Sequence, residues 1–170
     1  MTAASTAPTA PRPTPDAPPP AAPLPERAAR QREVVAALAA LLPAHSLLWT
    51  AEDTTPYECD GLTAYRQRPL AVCLPETEEE VQAVLRTCHR LQVPVVARGA
   101  GTGLSGGAMP HGLGVTLSLA RFNRILELDP RARTARVQCG VRNLAISEAA
   151  APHGLYYAPD PSSQIACTIG

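Results

Sequence analysis

The stretch Arg98-Gly99-Ala100-Gly101-Thr102-Gly103-Leu104-Ser105-Gly106-Gly107 decides how this chain folds. Five of its residues are glycine, and it lies between two apolar runs, Val93 to Ala97 and another that starts at Leu113. Glycine accepts a positive φ and lets backbone N–H groups come close to a ligand. The stretch is therefore either a phosphate-binding loop or a flexible surface turn, and the strand-like runs on both sides favour the loop.

The loop also contains Gly101-Thr-Gly103-Leu-Ser-Gly106, which has the spacing of a dinucleotide-binding motif. That motif needs a helix that begins at the loop, with its N-terminus facing the pyrophosphate. Pro110, Gly112 and Gly114 disfavour a helix here, so this interpretation fails. A nucleotide-hydrolysing P-loop fails as well, because Gly107 stands where that motif requires lysine.

What remains is a loop that binds a diphosphate through its own backbone amides. We expect the hydroxyl groups of Thr102 and Ser105 to contribute. Two roles stay open for Arg98, a salt bridge at the end of the strand and direct contact with the ligand.

Before the loop, the pattern predicts a helix from Glu26 to Pro43 and then a strand–helix–strand unit. Leu70 to Leu74 is the first strand, and the helix after it begins with the capping box Thr77-x-x-Glu80. Its apolar face is predicted to consist of Val81, Val84, Leu85, Cys88 and Leu91. Val93 to Ala97 returns as a parallel strand, with a right-handed crossover.

After the loop, three strand-like segments at 115–119, 125–129 and 134–138 predict hairpin-like pairing. Residues 141–151 predict a helix packed on this second sheet, with Val141, Leu144, Ala145 and Ala149 at helical spacing. A loop rich in proline and hydroxyl groups follows and leads to Cys167-Thr-Ile-Gly170.

Composition narrows the class of partner and the compartment. With 15 Lys+Arg against 15 Asp+Glu, the chain has no excess of positive charge that would attract nucleic acid, so we expect no nucleic-acid partner. The five cysteines include no C-x-x-C pair and no two histidines lie close in sequence, so we expect no metal site and reduced thiols in the cytoplasm. We also expect no transmembrane segment and no secretion signal.

The first 25 residues are mostly Ala, Pro and Thr, and we expect them to form a disordered tail. A role as a proline-rich ligand and a simple coding bias are both open explanations. The folded part is expected to comprise residues 26–170.

Two segments together carry a family resemblance. The run from Val93 to Gly107, with Pro159-Asp-Pro-Ser-Ser-Gln-Ile-Ala-Cys-Thr-Ile-Gly170, resembles the FAD-binding (PCMH-type) domain of the vanillyl-alcohol oxidase and p-cresol methylhydroxylase superfamily. Within that superfamily the chain is similar to the catalytic subunit type of bacterial glycolate oxidase, from about Leu47 to Gly170. Further matches are Pro56-Tyr-Glu-Cys-Asp-Gly61, Cys88-His-Arg-Leu91 and Gly140-Val-Arg-Asn-Leu-Ala-Ile146.

The resemblance implies an α+β fold, with a small parallel sheet and helices plus a second, mainly antiparallel sheet, and FAD between them. It implies contacts from the loop to the FAD diphosphate, by Gly99, Ala100, Gly101, Thr102, Gly103 and Ser105. It places along a second flavin-facing segment Pro159, Asp160, Ser163, Thr168 and Gly170. Many relatives attach the flavin through a histidine where this chain has Thr102, so we expect FAD to be held non-covalently.

The implied reaction is the oxidation of a 2-hydroxy acid, such as glycolate or D-lactate, to a 2-oxo acid, with hydride passing to FAD. The implied partners are a second flavin-type subunit and an iron–sulfur subunit, which would place the protein in the cytoplasm and at the periphery of the inner membrane. A non-catalytic flavin-fold subunit that serves assembly is the alternative.

Family members continue beyond this point into the rest of the FAD domain and a substrate-binding domain, where the acid–base groups lie. We therefore expect an N-terminal fragment with an incomplete second sheet, inactive alone, and we assign no catalytic residue. The substrate stays open among glycolate, D-lactate and related acids.

Overall fold

The computed structural model describes residues 24–159 and 161–170. The predicted tail lies outside these residues up to position 23, and so does Asp160. The helices are α1 (Leu24–Ala39), α2 (Ala51–Thr54), α3 (Glu78–Arg90) and α4 (Asn143–Ala150). The strands are β1 (Leu47–Leu48), β2 (Ala71–Cys73), β3 (Val95–Arg98), β4 (Val115–Ser118), β5 (Ile125–Asp129) and β6 (Thr134–Val137).

The first sheet has four strands in the order β1-β2-β4-β3. Strands β2 and β3 both run parallel to β4, and β1 pairs with β2 in the antiparallel direction. Val115 of β4 lies opposite both Ala71 and Val95. The predicted strand–helix–strand unit is therefore present, but a third strand separates its two strands.

The prediction that residues 115–119 form hairpin-like pairs with the later strands was wrong. Strand β4 lies in the middle of the first sheet, and all four of its residues are buried. Thr116 and Ser118 gave the segment the alternating pattern of a half-exposed strand, yet their exposed fractions are 0% and 2%. A central parallel strand is covered on both faces, so its polar side chains are buried as well as its apolar ones.

Helix α3 covers this sheet, and it begins where the capping box predicts. The Glu80 N–H donates to Thr77 Oγ1 at 3.2 Å, and Glu80 Oε2 accepts from the Glu76 N–H at 2.7 Å. Val84 and Cys88 are fully buried, whereas Leu85, which was predicted to lie on the same face, is 43% exposed. Together with buried residues of α1, β1, β2 and β4, these side chains form the hydrophobic core.

The second sheet consists of β5 and β6, which form the predicted antiparallel hairpin with an irregularity between Ile125 and Glu127. Helix α4 follows and continues as one 3-10 turn over Ala151–His153. Its buried residues are Asn143, Ile146 and Ala150. Of the predicted face, Val141 is buried, whereas Leu144, Ala145 and Ala149 are half-exposed.

Candidate functional site

The glycine loop leaves the first sheet at Arg98, the last residue of β3, and continues without a helix to β4. Gly101 and Gly106 have φ of +73° and +75°, in the left-handed region that favours glycine. In the described part of the chain after β3, the first helix is α4, which begins at Asn143. The exclusion of a dinucleotide fold with a helix at this loop is thus confirmed.

The loop presents a row of backbone N–H groups that the described protein does not use. At its start the Ala100 N–H donates to Thr168 Oγ1 at 3.1 Å, and at its end the Met109 N–H donates to the Gly106 carbonyl at 3.1 Å. Among the described residues, the N–H groups from Gly101 to Gly107 have no acceptor within the protein. Successive backbone N–H groups of this kind suit an anion such as a diphosphate.

The last segment of the chain packs directly against this loop. A Cβ atom on Gly99 would overlap the Gly170 carbonyl oxygen and Thr168 Oγ1, so only glycine fits there. The Thr168 hydroxyl accepts from Ala100 and donates to the Gly170 carbonyl at 3.0 Å. The two segments that the resemblance singled out therefore meet at one place.

Helix α4 holds this last segment in position. The N–H groups of Asn143 and Leu144 donate to the carbonyls of Cys167 at 3.0 Å and Gln164 at 3.1 Å. The first turn of a helix has N–H groups without an intrahelical acceptor, and here they bind the segment. The segment 139–141 adds two bonds, from Ile169 N–H to the Val141 carbonyl and from Gly170 N–H to the Cys139 carbonyl. This role of α4 was not predicted, because nothing in the sequence pairs these two segments.

Two adjoining cavities lie where the segments meet. The first, of about 320 Å³, is lined by Ala97, Gly99, Ala100, Gly101, Thr102, Gly103, Gly107, Ala108, Thr168 and Gly170. The second, of about 430 Å³, is lined by Ala100, Ala120, Asn123, Gly140, Arg142, Ala145, Ala166 and Thr168. They share Ala100 and Thr168, so together they extend from the end of β3 to the start of α4.

The structure brings together seven of the eleven predicted site residues as lining of the first cavity, namely Gly99, Ala100, Gly101, Thr102, Gly103, Thr168 and Gly170. Ser105 is exposed and lies outside that lining. Pro159 and Ser163 also lie outside it, and the Pro159 carbonyl accepts from Asn143 Nδ2 at 3.0 Å. Asp160 lies outside the described residues.

Sequence reasoning missed two polar residues that line the second cavity, Asn123 and Arg142. Arg142 is the N-cap residue of α4, and its guanidinium donates to the Ile165 carbonyl at 3.3 Å. Asn123 lies in the connection between β4 and β5. The signal available for Arg142 was its place in the segment Gly140 to Ile146 that carries the family resemblance, whereas no sequence signal pointed to Asn123.

Comparison with known proteins connects this geometry to a family, since residues 69–170 match the family described as FAD binding domain. The chain belongs to this FAD binding domain family. The resemblance stated from the sequence, the α+β fold class and FAD as the cofactor are thereby confirmed.

Individual relatives agree with the FAD binding domain assignment. The chain is 64% identical over 137 residues to glycolate oxidase subunit GlcD of Escherichia coli (strain K12), covering 81% of this chain and 28% of that protein. It is 38% identical over 136 residues to D-2-hydroxyglutarate dehydrogenase of Xanthomonas citri pv. viticola, covering 80% of this chain and 29% of that protein. The chain thus spans less than a third of the length of these two relatives.

A solved structure of p-cresol methylhydroxylase with substrate bound has the same fold, with a TM-score of 0.66 and 25% identity. The match covers 75% of this chain and 25% of that one. Within the part of the chain that the structure describes, no helix is long and apolar enough to cross a membrane.

Proposed function

We propose that this chain is the FAD-binding part of an oxidoreductase that converts a 2-hydroxy acid into a 2-oxo acid. The observation that carries the proposal is the row of unused N–H groups from Gly101 to Gly107, next to Thr168 and Gly170, in a chain similar to a glycolate oxidase subunit. The second relative, a D-2-hydroxyglutarate dehydrogenase, is also named for a 2-hydroxy acid.

The residues around the first cavity fit a diphosphate. The loop offers backbone donors rather than charged side chains, and its glycines leave space for close approach of the ligand. Gly99, Ala100, Gly101, Thr102 and Gly103 would hold the diphosphate, together with Ser105. Thr168, Gly170, Pro159, Asp160 and Ser163 belong to the second segment of the proposed site. When bound, FAD supplies the acceptor for the hydride that leaves the substrate carbon.

The chain itself would bind and orient the cofactor and exclude water from one side of it. No residue described here is proposed as the acid–base group or as the group that binds the substrate carboxylate. Glycolate and D-lactate remain candidate substrates, and a second flavin-type subunit and an iron–sulfur subunit remain candidate partners. The proposed location is the cytoplasm, at the inner membrane through those partners.

We propose that FAD is held non-covalently, since Thr102 has no imidazole that could form a bond to the flavin. Precipitation of the FAD-loaded protein with acid is then expected to leave the yellow flavin in the supernatant. Flavin absorbance that stays with the washed pellet would contradict non-covalent binding.

The reaction is tested with the natural protein that carries this chain. Purified protein is mixed with glycolate, D-lactate or D-2-hydroxyglutarate, and reduction of an artificial electron-accepting dye is followed. We expect one of these acids to bleach the flavin and reduce the dye. Protein that binds FAD yet transfers no electrons from any of them would favour the alternative, a non-catalytic flavin-fold subunit that serves assembly.

A further inference from the structure

Residues 57–62, which we term the clasp, contact the glycine loop at three points. We propose that the clasp fixes the loop in its anion-binding shape, so that clasp residues set the affinity for FAD without touching it. This inference rests on the proposed function. The cavity linings contain no residue of the clasp.

The first contact is at the start of the loop, through Arg98. Its guanidinium donates to the Cys59 carbonyl at 2.8 Å and stacks over the Tyr57 ring, 5.5 Å from the ring centroid. A Cβ atom on Gly101 would overlap the same guanidinium, so the Arg98 side chain lies between the clasp and the loop backbone. Among the described residues Arg98 forms no salt bridge, so the structure does not support the strand-end pairing considered from the sequence.

The second contact is at the end of the loop, through Asp60. This side chain is only 4% exposed, yet no ion pair involves it among the described residues. Its carboxylate instead accepts the Leu62 N–H at 2.9 Å and the Ala108 N–H at 3.4 Å. A buried carboxylate is tolerated when N–H donors satisfy it, and here one donor belongs to the loop.

The third contact is in the middle of the loop, at Gly61. A Cβ atom on Gly61 would lie 2.7 Å from both the Thr102 and the Gly103 carbonyl oxygens. In a trans peptide the carbonyl and the N–H point in opposite directions, and the described residues contain no cis peptide bond. Carbonyls that meet the clasp therefore leave the N–H groups of Gly103 and Leu104 facing away from it, available to a ligand.

The three contacts together explain how a loop so rich in glycine holds one shape. Glycine loses more conformational freedom on ordering than any other residue, so an unsupported loop would have to become ordered when the ligand binds. A loop that is already ordered binds more tightly because that cost has been met during folding. The clasp supplies the ordering from residues outside the site.

Two variants test the clasp, Gly61→Ala and Asp60→Asn. The first introduces a methyl group against two loop carbonyls, and the second turns an amide N–H towards one of the two backbone donors. Asp53→Asn is the matched control for Asp60→Asn, because it makes the same change at an exposed position. Thr63→Ala is a second control, which changes an exposed side chain next to the clasp without adding an atom. Circular dichroism first establishes that each protein is folded at the assay temperature. If Gly61→Ala does not fold, Asp60→Asn alone tests the role of the clasp.

Two measurements are made on the full chain. Without ligand, amide hydrogen exchange is followed in the peptide that covers residues 99–109, and we expect exchange to be faster in the clasp variants than in the controls. With FAD, a fluorescence titration is expected to give a dissociation constant at least about tenfold higher in the clasp variants, equivalent to about 1.4 kcal/mol.

The outcomes separate this inference from the proposed function. Clasp variants that match the controls in exchange and in FAD affinity would overturn the clasp and leave the proposed function standing. If the wild-type chain and the controls bind no FAD, the proposed function is wrong. The prediction that the clasp sets the affinity for FAD is then wrong as well. Faster exchange together with weaker FAD binding supports both.

Discussion

Gly99 is a residue at which the two segments of the site come close together. Its α-carbon faces the Gly170 carbonyl and the Thr168 hydroxyl, which in turn accepts the Ala100 N–H. The sequence predicted glycine here for contact with a ligand. The structure adds a second reason, since any side chain at this position would separate the segments.

Replacing Gly99 with alanine is therefore expected to destabilise the fold by about 1–3 kcal/mol, as overpacking of a filled site does. Gly107→Ala is the matched control, because a Cβ atom there meets no atom within 4 Å and its φ is not in the positive range. Urea unfolding followed by circular dichroism measures both. Equal midpoints for the two variants would contradict the close contact at Gly99.

At the scale of elements, the cap of α3 was predicted correctly, whereas helix faces and strand pairing were predicted only in part. Thr77 and Glu80 predicted the start of α3 because a cap acts within a few residues. The place of β4 between β2 and β3 depends on contacts far apart in sequence, and the hydroxyl groups of Thr116 and Ser118 concealed its burial. The attachment of residues 164–170 to α4 is long-range in the same way.

Two cysteines report on how firmly α3 packs on the first sheet. Burial raises the pKa of the Cys73 thiol, with a further contribution from Cys88, and burial also raises the pKa of Cys88. Iodoacetamide at pH 8 is expected to modify Cys59, Cys139 and Cys167, which are partly exposed, and to spare Cys73 and Cys88 until urea is added. Mass spectrometry of the peptides identifies the sites, and rapid modification of Cys73 in the folded chain would contradict this packing.

The same shifts set the direction of a pH effect on stability. Below the ordinary thiol pKa of about 8.5, folded and unfolded chains both keep these protons, so the two thiols add no pH dependence. Above it only the unfolded chain loses them, and the free energy of unfolding is expected to fall as the pH rises. Urea unfolding at pH 8 and pH 10, compared with a Cys73→Ala variant, measures this contribution.

At the scale of the whole molecule, the site lies between the end of β3 and the start of α4, and sequence similarity contributed more to its prediction than periodicity did. The glycine loop alone predicted a diphosphate site but not FAD, because a row of backbone N–H groups does not specify the rest of the ligand. Residues 159–170, the second segment, made the resemblance to FAD-binding domains recognisable. In the structure Thr168 and Gly170 of this segment contact the loop. The clasp was not predicted, since Tyr57, Asp60 and Gly61 have no shared pattern with the loop.

The central claim is that the glycine loop and the segment ending at Gly170 form one FAD site. The most direct measurement is titration of FAD into the wild-type chain, followed by quenching of flavin fluorescence, with Gly99→Ala as the comparison. We predict saturable binding of one FAD per wild-type chain, and in the folded variant binding that is lost or weakened at least about tenfold, or about 1.4 kcal/mol. Absence of saturable binding to the wild-type chain, or equal binding by the two proteins, would contradict it.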